Sequence, residues 1–158
     1  MLSAWKKCIL CEIGEIVSGG TPSTRDVKNF GGNICWVTPA DLTGYTNKYI
    51  SKGKRNLTEQ GLKNSSATLL PKGSVLFSSR APIGYVVIAK NCIATNQGFK
   101  NIIPKTKLVL SDFVYYFLQD CITVLFRFFK EKDNGKILNI INKIQECKKF
   151  GLSIKILK

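Results

Sequence analysis

Short apolar segments separated by turn residues run through the first two thirds of the chain. Five of them have the length and composition of buried strands, at residues 34–37, 74–77, 84–89, 92–95 and 99–103. Pro39 follows the first, Pro82 and Gly84 lie at the turn between the second and third, and Asn96-Gln97-Gly98 separates the last two. Because short strands joined by glycine-containing loops usually pair with each other, these segments predict antiparallel hairpins.

A longer apolar pattern after residue 110 predicts a helix with Ser111 as its N-cap. Its apolar residues recur at three- and four-residue spacing, which predicts one buried face. The members of that face are Phe113, Phe117, Cys121, Val124 and Phe128.

The remaining elements are shorter. Residues 58–62 predict a helical turn ended by Gly61, and residues 5–17 predict a short helix or strand. Further elements are predicted at 137–141, 142–150 and 153–157. The sum is an α+β fold, an antiparallel sheet with packed helices, in a single domain that spans residues 1–158.

The charge of the chain indicates a polyanionic partner. Its 24 Lys and Arg outnumber 10 Asp and Glu, which gives a formal net charge of +14. Nucleic acid and an anionic membrane both fit such a charge. The basic residues do not line one amphipathic helix, and Asp120 and Arg127 interrupt the most apolar stretch, so we expect no membrane partner. Without a secretory signal pattern we expect the cytoplasm and free thiols at all six cysteines.

The chain lacks catalytic residues that several classes of enzyme need. The chain has no histidine, which removes the commonest general base and the Ser-His and Cys-His nucleophile pairs. Gly14, Gly19 and Thr21 have the spacing of a phosphate-binding loop, but Gly20 stands where its lysine belongs. The triplets Asp26-Val27-Lys28 and Glu146-Cys147-Lys148 are of the nuclease type, but metal-assisted cleavage needs further carboxylates that converge on the metal. Glu146 is expected on a helix, where Lys148 points to another face. We therefore expect no cofactor and no metal, and a small nuclease remains as an alternative.

Four segments in order have a combined pattern that is specific. They are SGGTPST, GGNICWVTPADL, NLTEQGLKNSSATLLPKGSVLFSSRAPIGYVVIA and TNQGFKNIIP. Together they resemble a target recognition domain of type I restriction-modification specificity subunits, from about Trp5 to about Leu157. The resemblance implies sequence-specific recognition of double-stranded DNA without catalysis by this chain. It also implies methyltransferase (M) and restriction (R) subunits as partners, with a second recognition-domain chain as a further expected partner.

The resemblance bears on the domain organisation too. A full specificity subunit has two recognition domains, each followed by a long helix. This sequence has one such domain and ends at Lys158, where that helix is expected to begin. We therefore expect half of a specificity subunit that lacks the long spacer helix.

Basic residues in or beside the predicted loops are the candidates for phosphate contacts. They are Arg25, Lys28, Lys52, Lys54, Arg55 and Lys100. For each of them the alternative is a solvated surface side chain, but the excess of positive charge favours the set as a whole.

Candidates for reading base edges lie at turns between strands. Arg80, flanked by Ser78 and Ser79, can fork onto a guanine edge or hold a phosphate, and the alternative is an ion pair with an acid such as Asp41. Ser79 belongs to the candidate set with it. Gln97 has the chemistry to pair with adenine, and the alternative is turn formation.

Hydroxyl and aromatic side chains complete the candidate set. Thr21, Ser23 and Thr24 are candidates for phosphate or base contacts, and the alternative is local capping. Tyr45 and Tyr49 lie in a polar loop and are candidates for groove contact, whereas Trp36 is expected in the core. The alternative function at this level is a stand-alone basic nucleic-acid-binding module without a defined target sequence.

Overall fold

A computed structural model describes residues 6–128 and 152–154 of the chain. In the described part, the strands are β1 (Lys6–Cys8), β2 (Gly14–Ser18), β3 (Phe30–Val37), β4 (Tyr49–Ile50), β5 (Arg55–Leu57), β6 (Val75–Ser78), β7 (Val86–Ala89), β8 (Ala94–Thr95), β9 (Phe99–Pro104) and β10 (Leu152–Ile154). The α-helices there are α1 (Leu10–Ile13), α2 (Glu59–Lys63) and α3 (Ser111–Phe128), and 3₁₀ turns lie at Val27–Asn29 and Pro39–Leu42. The α+β class is confirmed.

Three sheets organise these elements. A five-stranded sheet has the order β2-β9-β6-β7-β4, a three-stranded sheet has the order β5-β3-β8, and β1 pairs with β10. Most neighbours are antiparallel, as expected. The pairs β4–β7 and β3–β8 are parallel, so both larger sheets are mixed.

One predicted hairpin is confirmed and the other is wrong. Strands β6 and β7 pair antiparallel, with Leu76 opposite Val87. Strand β8 does not pair with β9, but with β3 in the three-stranded sheet, whereas β9 lies between β2 and β6. The turn at Asn96 to Gly98 therefore carries the chain from one sheet to the other. Its backbone is held by bonds from Asn96 N to Val37 O at 3.0 Å and from Gly98 N to Asn96 Oδ1 at 2.9 Å.

The five-stranded sheet is covered on both faces. Alternate residues of β6 point in opposite directions, so Val75 and Phe77 belong to the core beneath α3, and Leu76 belongs to the core on the other face. That second core also contains Val37 of β3 and Leu70. A strand buried on both faces reads as a continuous apolar run, as β6 and β7 do.

The buried face of α3 matches the predicted one only in part, because Phe117 packs against the core as a partly buried residue and Cys121 is half-buried. Val114, Tyr115, Leu118 and Ile122 are buried, whereas Phe113 is 38 % exposed. The residues on both sides of the true face are apolar, so periodicity alone does not select the face. Ser111 is the first helical residue, and its hydroxyl donates to the carbonyl of Gly73 at 2.7 Å, so it does not cap the helix.

Gly61 does not end α2. The helix begins after Thr58, whose hydroxyl accepts from Gly61 N at 3.0 Å, and continues to Lys63. A Cβ at Gly61 would lie 2.0 Å from Asn29 O, so the glycine permits close packing of α2 on the 3₁₀ turn before β3.

Other predictions are settled in part. Strand β10 matches the start of the strand predicted at 153–157, whereas the elements predicted at 137–141 and 142–150 and the side chains of Val124 and Phe128 lie outside the described residues. Among the described cysteines, Cys11, Cys35, Cys92 and Cys121 are free thiols. No helix in the described ranges has both the length and the apolar character needed to cross a bilayer.

The two leucines of the α3 region give a matched test of its packing. Leu118 is 5 % exposed and Leu110 is 69 % exposed. We expect Leu118→Ala to lower the free energy of unfolding by about 2–5 kcal/mol, because it leaves a cavity in the core. Leu110→Ala should change it by no more than about 0.5 kcal/mol. Urea unfolding of both variants checks this, and equal losses would contradict the assigned face.

Candidate nucleic-acid interface

Three loops meet at the ends of the strands and form one surface. We call residues 19–26, 79–85 and 96–98 the three-loop surface. The amide of Gly20 donates to Thr95 O at 2.9 Å, which ties the first loop to the end of β8, directly before the third loop. The amides of Ser79 and Arg80 donate to Gly98 O at 2.8 and 3.2 Å, which ties the second loop to the third. Backbone bonds therefore hold the first and second loops at the segment 95–98.

The glycine pair at the start of the first loop makes a close approach. A Cβ at Gly19 would lie 2.0 Å from Asn96 O, and a Cβ at Gly20 would lie 2.2 Å from Ala67 N. The buried indole of Trp36 donates from Nε1 to Gly20 O at 3.2 Å. Only a residue without a side chain fits at either position, so the glycines serve the docking of the loop.

This geometry excludes the phosphate-binding loop that the glycine spacing resembled. The amides of Gly19 and Gly20 donate to Phe99 O and Thr95 O, so they are not turned toward a ligand. Gly14 lies in strand β2. Trp36 is 4 % exposed, which confirms its expected place in the core.

Exposed polar side chains from all three loops lie on this surface. Ser23, Thr24, Arg25, Arg80 and Gln97 are exposed. Thr21, from the first loop, donates a hydrogen bond from its hydroxyl to Oε1 of Gln97 in the third loop.

Ser79 has a place within the fold. It is 3 % exposed, and its hydroxyl donates to Gly98 O at 3.2 Å. Ser79 thus holds the second loop against the third. Lys100 lies in β9, next to the third loop, and donates from Nζ to the hydroxyl of Ser18 at 2.6 Å.

Arg80 does not form the ion pair with Asp41 that the sequence left open. The Asp41 carboxylate accepts from the amide and hydroxyl of Thr38, both at 2.8 Å, and from the amide of Lys54 at 3.1 Å. Among the described side chains, Lys48 and Asp112 form the one ion pair. The guanidinium of Arg80 is therefore uncompensated by any described carboxylate.

A long stretch of the sequence without acidic residues also contributes to the positive charge of these loops, and it was not among the predicted features. Between Glu59 and Asp112 the chain contains seven Lys and Arg and no acid. That stretch includes the second and third loops of the surface. The second and third loops contribute the cation Arg80 and no carboxylate, whereas the first loop contains both Arg25 and Asp26. The excess of cations favours a polyanion.

A second group of candidates lines an open cleft of about 430 Å³. We call it the basic cleft, and its lining consists of Phe30, Gly31, Gly32, Lys52, Gly53, Lys54, Arg55 and Asn56. The cleft brings together three of the predicted phosphate contacts. Phe30 and the two glycines beside it were not predicted as functional, because their arrangement depends on the pairing of β3 with β5.

Two further candidates lie apart from these groupings. Lys28 is exposed on the 3₁₀ turn, and its amide donates to Asp26 Oδ1 at 3.0 Å, so the triplet Asp26 to Lys28 forms a cap. Tyr45 packs against the core, and its hydroxyl donates to Tyr49 O at 2.6 Å. No group of three or more His, Cys, Asp or Glu side chains in the described ranges converges as a metal site.

Lys48 links the polar loop before β4 to the start of α3. Its ammonium bonds to Asp112 and lies 4.4 Å from the centroid of the Tyr116 ring. The hydrogen bond to Asp112 raises the pKa of Lys48. The same bond lowers the pKa of Asp112 below its ordinary value of 3.8.

Sequence comparison identifies similar proteins. A model of the family of type I restriction modification DNA specificity domains matches residues 3–152. The chain is 52 % identical over 112 residues to the type I restriction enzyme MjaIX specificity subunit of Methanocaldococcus jannaschii, an alignment that covers 71 % of this chain and 26 % of that protein. It is 27 % identical over 100 residues to the HindI specificity subunit of Haemophilus influenzae, covering 63 % of this chain and 21 % of that protein.

Solved structures share the fold. The HsdS subunit of Thermoanaerobacter tengcongensis superposes with a TM-score of 0.59 at 16 % identity, over 92 % of this chain and 38 % of the subunit. A chain from a type I R-M system superposes with a TM-score of 0.62 at 15 % identity, over 92 % of this chain and 39 % of the other. This chain spans about a quarter of the length of the curated relatives that it matches.

The ion pair of Lys48 and Asp112 predicts a pH dependence. The pKa of Asp112 is lower in the folded state than in the unfolded state, so the carboxylate stabilises the fold above its unfolded pKa. That contribution is lost as the pH falls through the lowered pKa. We expect Asp112→Asn to be less stable than the parent at neutral pH and equally stable at pH values below that pKa. Thermal unfolding across acid pH checks this, and a constant difference would contradict the assignment.

Proposed function

Because the chain belongs to the family of type I restriction modification DNA specificity domains, we propose that it binds double-stranded DNA through the three-loop surface and reads part of a target sequence there. The observation that carries this proposal is the surface itself. An arginine without a carboxylate partner and a glutamine fixed by a neighbouring hydroxyl lie on loops that backbone bonds hold together. Side chains of these types, held rigidly, are the ones that discriminate base edges.

Two side chains of this surface are the proposed base readers. The exposed guanidinium of Arg80 has two parallel donors, which suit the O6 and N7 acceptors of guanine. The bond from Thr21 fixes the amide of Gln97 and leaves its Oε1 a second lone pair and its NH₂ both hydrogens. Such an amide pairs with N6 and N7 of adenine. Thr21 is then a positioning residue, and Ser23 and Thr24 are proposed contacts to bases or phosphates.

Cations of the three-loop surface and of the basic cleft, together with Lys28 on the 3₁₀ turn and Lys100 in β9, are the proposed phosphate contacts. They are Arg25, Lys28, Lys52, Lys54, Arg55 and Lys100. Phosphate contacts supply affinity and register but no sequence information, so this set and the readers should differ in how their variants behave.

We further propose that this chain supplies the specificity of a type I restriction-modification assembly, as the names of its relatives suggest. Catalysis would then belong to methyltransferase and restriction subunits, and a second recognition domain would read the other part of the target. The four free thiols fit a cytoplasmic location for this assembly.

Selection from a random duplex pool tests the function. We expect the bound fraction to converge on a defined motif of a few base pairs. Strong binding to all sequences without convergence would favour the stand-alone basic binder. Metal-dependent loss of strands would favour the nuclease.

A single substitution tests the role of Arg80. We expect Arg80→Ala to weaken binding to the selected site more than binding to random duplex, by a discrimination of about 1–3 kcal/mol, because a bidentate contact to a base edge is lost. Lys107→Ala removes an exposed cation outside the three loops and is the control. Fluorescence titration of both DNAs gives the result. Equal losses on the two DNAs would make Arg80 a phosphate contact.

A further inference from the structure

We infer that the basic cleft is a binding site for one DNA phosphodiester, built by a glycine bulge that faces a stacked arginine. The inference rests on the proposed function and assigns to this cleft the sequence-independent part of binding. Base reading stays with the three-loop surface.

One wall of the cleft is a bulge in β3. Phe30 and Ile34 both pair with Leu57, so residues 31–33 leave the ladder between them. Gly31 has φ +87°, and a Cβ built there would meet no atom within 4 Å. Gly31 therefore exposes backbone without a side chain toward open space, which is the shape that allows a ligand to approach closely.

The opposite wall is formed by the loop that leads into β5. The guanidinium carbon of Arg55 lies 3.8 Å from the centroid of the Phe30 ring. This stacking restricts the side chain before any ligand arrives. The backbone amide of Lys54 donates to Asp41 Oδ1. Gly53 packs closely on β3, since a Cβ there would lie 2.3 Å from Trp36 O. The cationic wall is thus held by packing and by a backbone bond.

The side chains that line the cleft favour an anion, and the nearby Asp41 carboxylate is already bonded to the amides of Thr38 and Lys54. Three of its eight lining residues are cationic and none is acidic. None of the three pairs with a described carboxylate, since the one ion pair in the described part is elsewhere. Arginine binds phosphate in a fork, and lysines at the rim add charge without a fixed direction. The cleft is open to solvent, so a phosphate with its flanking sugars has access to these cations.

A chain of contacts connects the cleft to the three-loop surface. The Phe30 ring lies 6.0 Å from the Trp36 ring, centroid to centroid, and the Trp36 indole holds Gly20 O. A continuous series of contacts therefore runs from Arg55 through Phe30 and Trp36 to Gly20. The distance between the phosphate site and the reading loops is fixed by the core, so the cleft would set the register of the duplex.

Gly31 offers a matched pair of variants for the test. Asp and Asn are the residues that best tolerate positive φ, and they differ in charge but hardly in size. Gly31→Asp places a carboxylate in the cleft, and Gly31→Asn is the control. Titrations with selected and random duplex at several salt concentrations give the affinity and its salt dependence.

We expect Gly31→Asp to weaken binding to both duplexes by the same factor and to make the log–log salt slope shallower by about 1, as for the loss of one phosphate contact. Arg55→Ala should do the same, and Gly31→Asn should keep the slope of the parent. Inorganic phosphate should shift the NMR resonances of Gly32 and Arg55 in the parent and in Gly31→Asn, and not in Gly31→Asp.

An unchanged slope for Gly31→Asp and Arg55→Ala would overturn the inference, and the sequence-dependent effect of Arg80→Ala would still support the proposed function. A loss confined to the selected site would also overturn it, because the cleft would then read sequence. If the parent does not bind DNA, the proposed function fails. The phosphate titration then decides alone whether the cleft is an anion site.

Discussion

The docking of Gly19 and Gly20 is the constraint on which the rest of the structure depends. These two residues follow β2 of the five-stranded sheet and lie against residues 66–67 and 95–96, where a Cβ has no room. The indole of Trp36, from the three-stranded sheet, closes the arrangement at Gly20 O. At this point the two sheets meet through backbone atoms, whereas elsewhere the side chains of the second core, such as Val37 and Leu76, lie between them. A buried polar contact of this kind costs about 1–3 kcal/mol when one partner is removed, so it also fixes the geometry.

The architecture separates stability from recognition. Strands β6 and β7 are buried on both faces and make their cores with α3 on one side and β3 on the other. The loops at the strand ends present exposed cations, among them Arg25, Lys54 and Arg80. Several described acids accept bonds from nearby backbone amides, as Asp26 and Asp41 do, and Lys48 is the one described cation in an ion pair, so most cations of the described ranges have no carboxylate partner.

Apolar runs and turn residues predicted most strands and turns. Sheet pairing and helix packing, which depend on residues far apart in the sequence, could not be predicted in this way. The hairpin of β6 and β7 follows from two apolar runs and a Pro-Gly turn. The pairing of β8 with β3 does not follow from the sequence. The turn residues at Asn96 are the same whether the turn joins two paired strands or carries the chain from one sheet to the other. Phe113 was expected in the core because it lies four residues before Phe117 in a three- and four-residue apolar pattern, but the adjacent Val114 and Tyr115 are the buried residues. The loop residues of the candidate site were predicted from turn chemistry, but the stacking of Arg55 on Phe30 depends on a bulge that only the sheet reveals.

The three loops are held together largely by main-chain atoms, at Gly20, Ser79, Arg80 and Gly98. A peptide group makes these bonds whatever side chain it carries. Exchanges at positions 23, 24, 25, 80 and 97 therefore leave the scaffold intact while they alter what it displays. If these positions read DNA as proposed, single substitutions there change the target at little cost in folding stability, and the same positions are open to engineering.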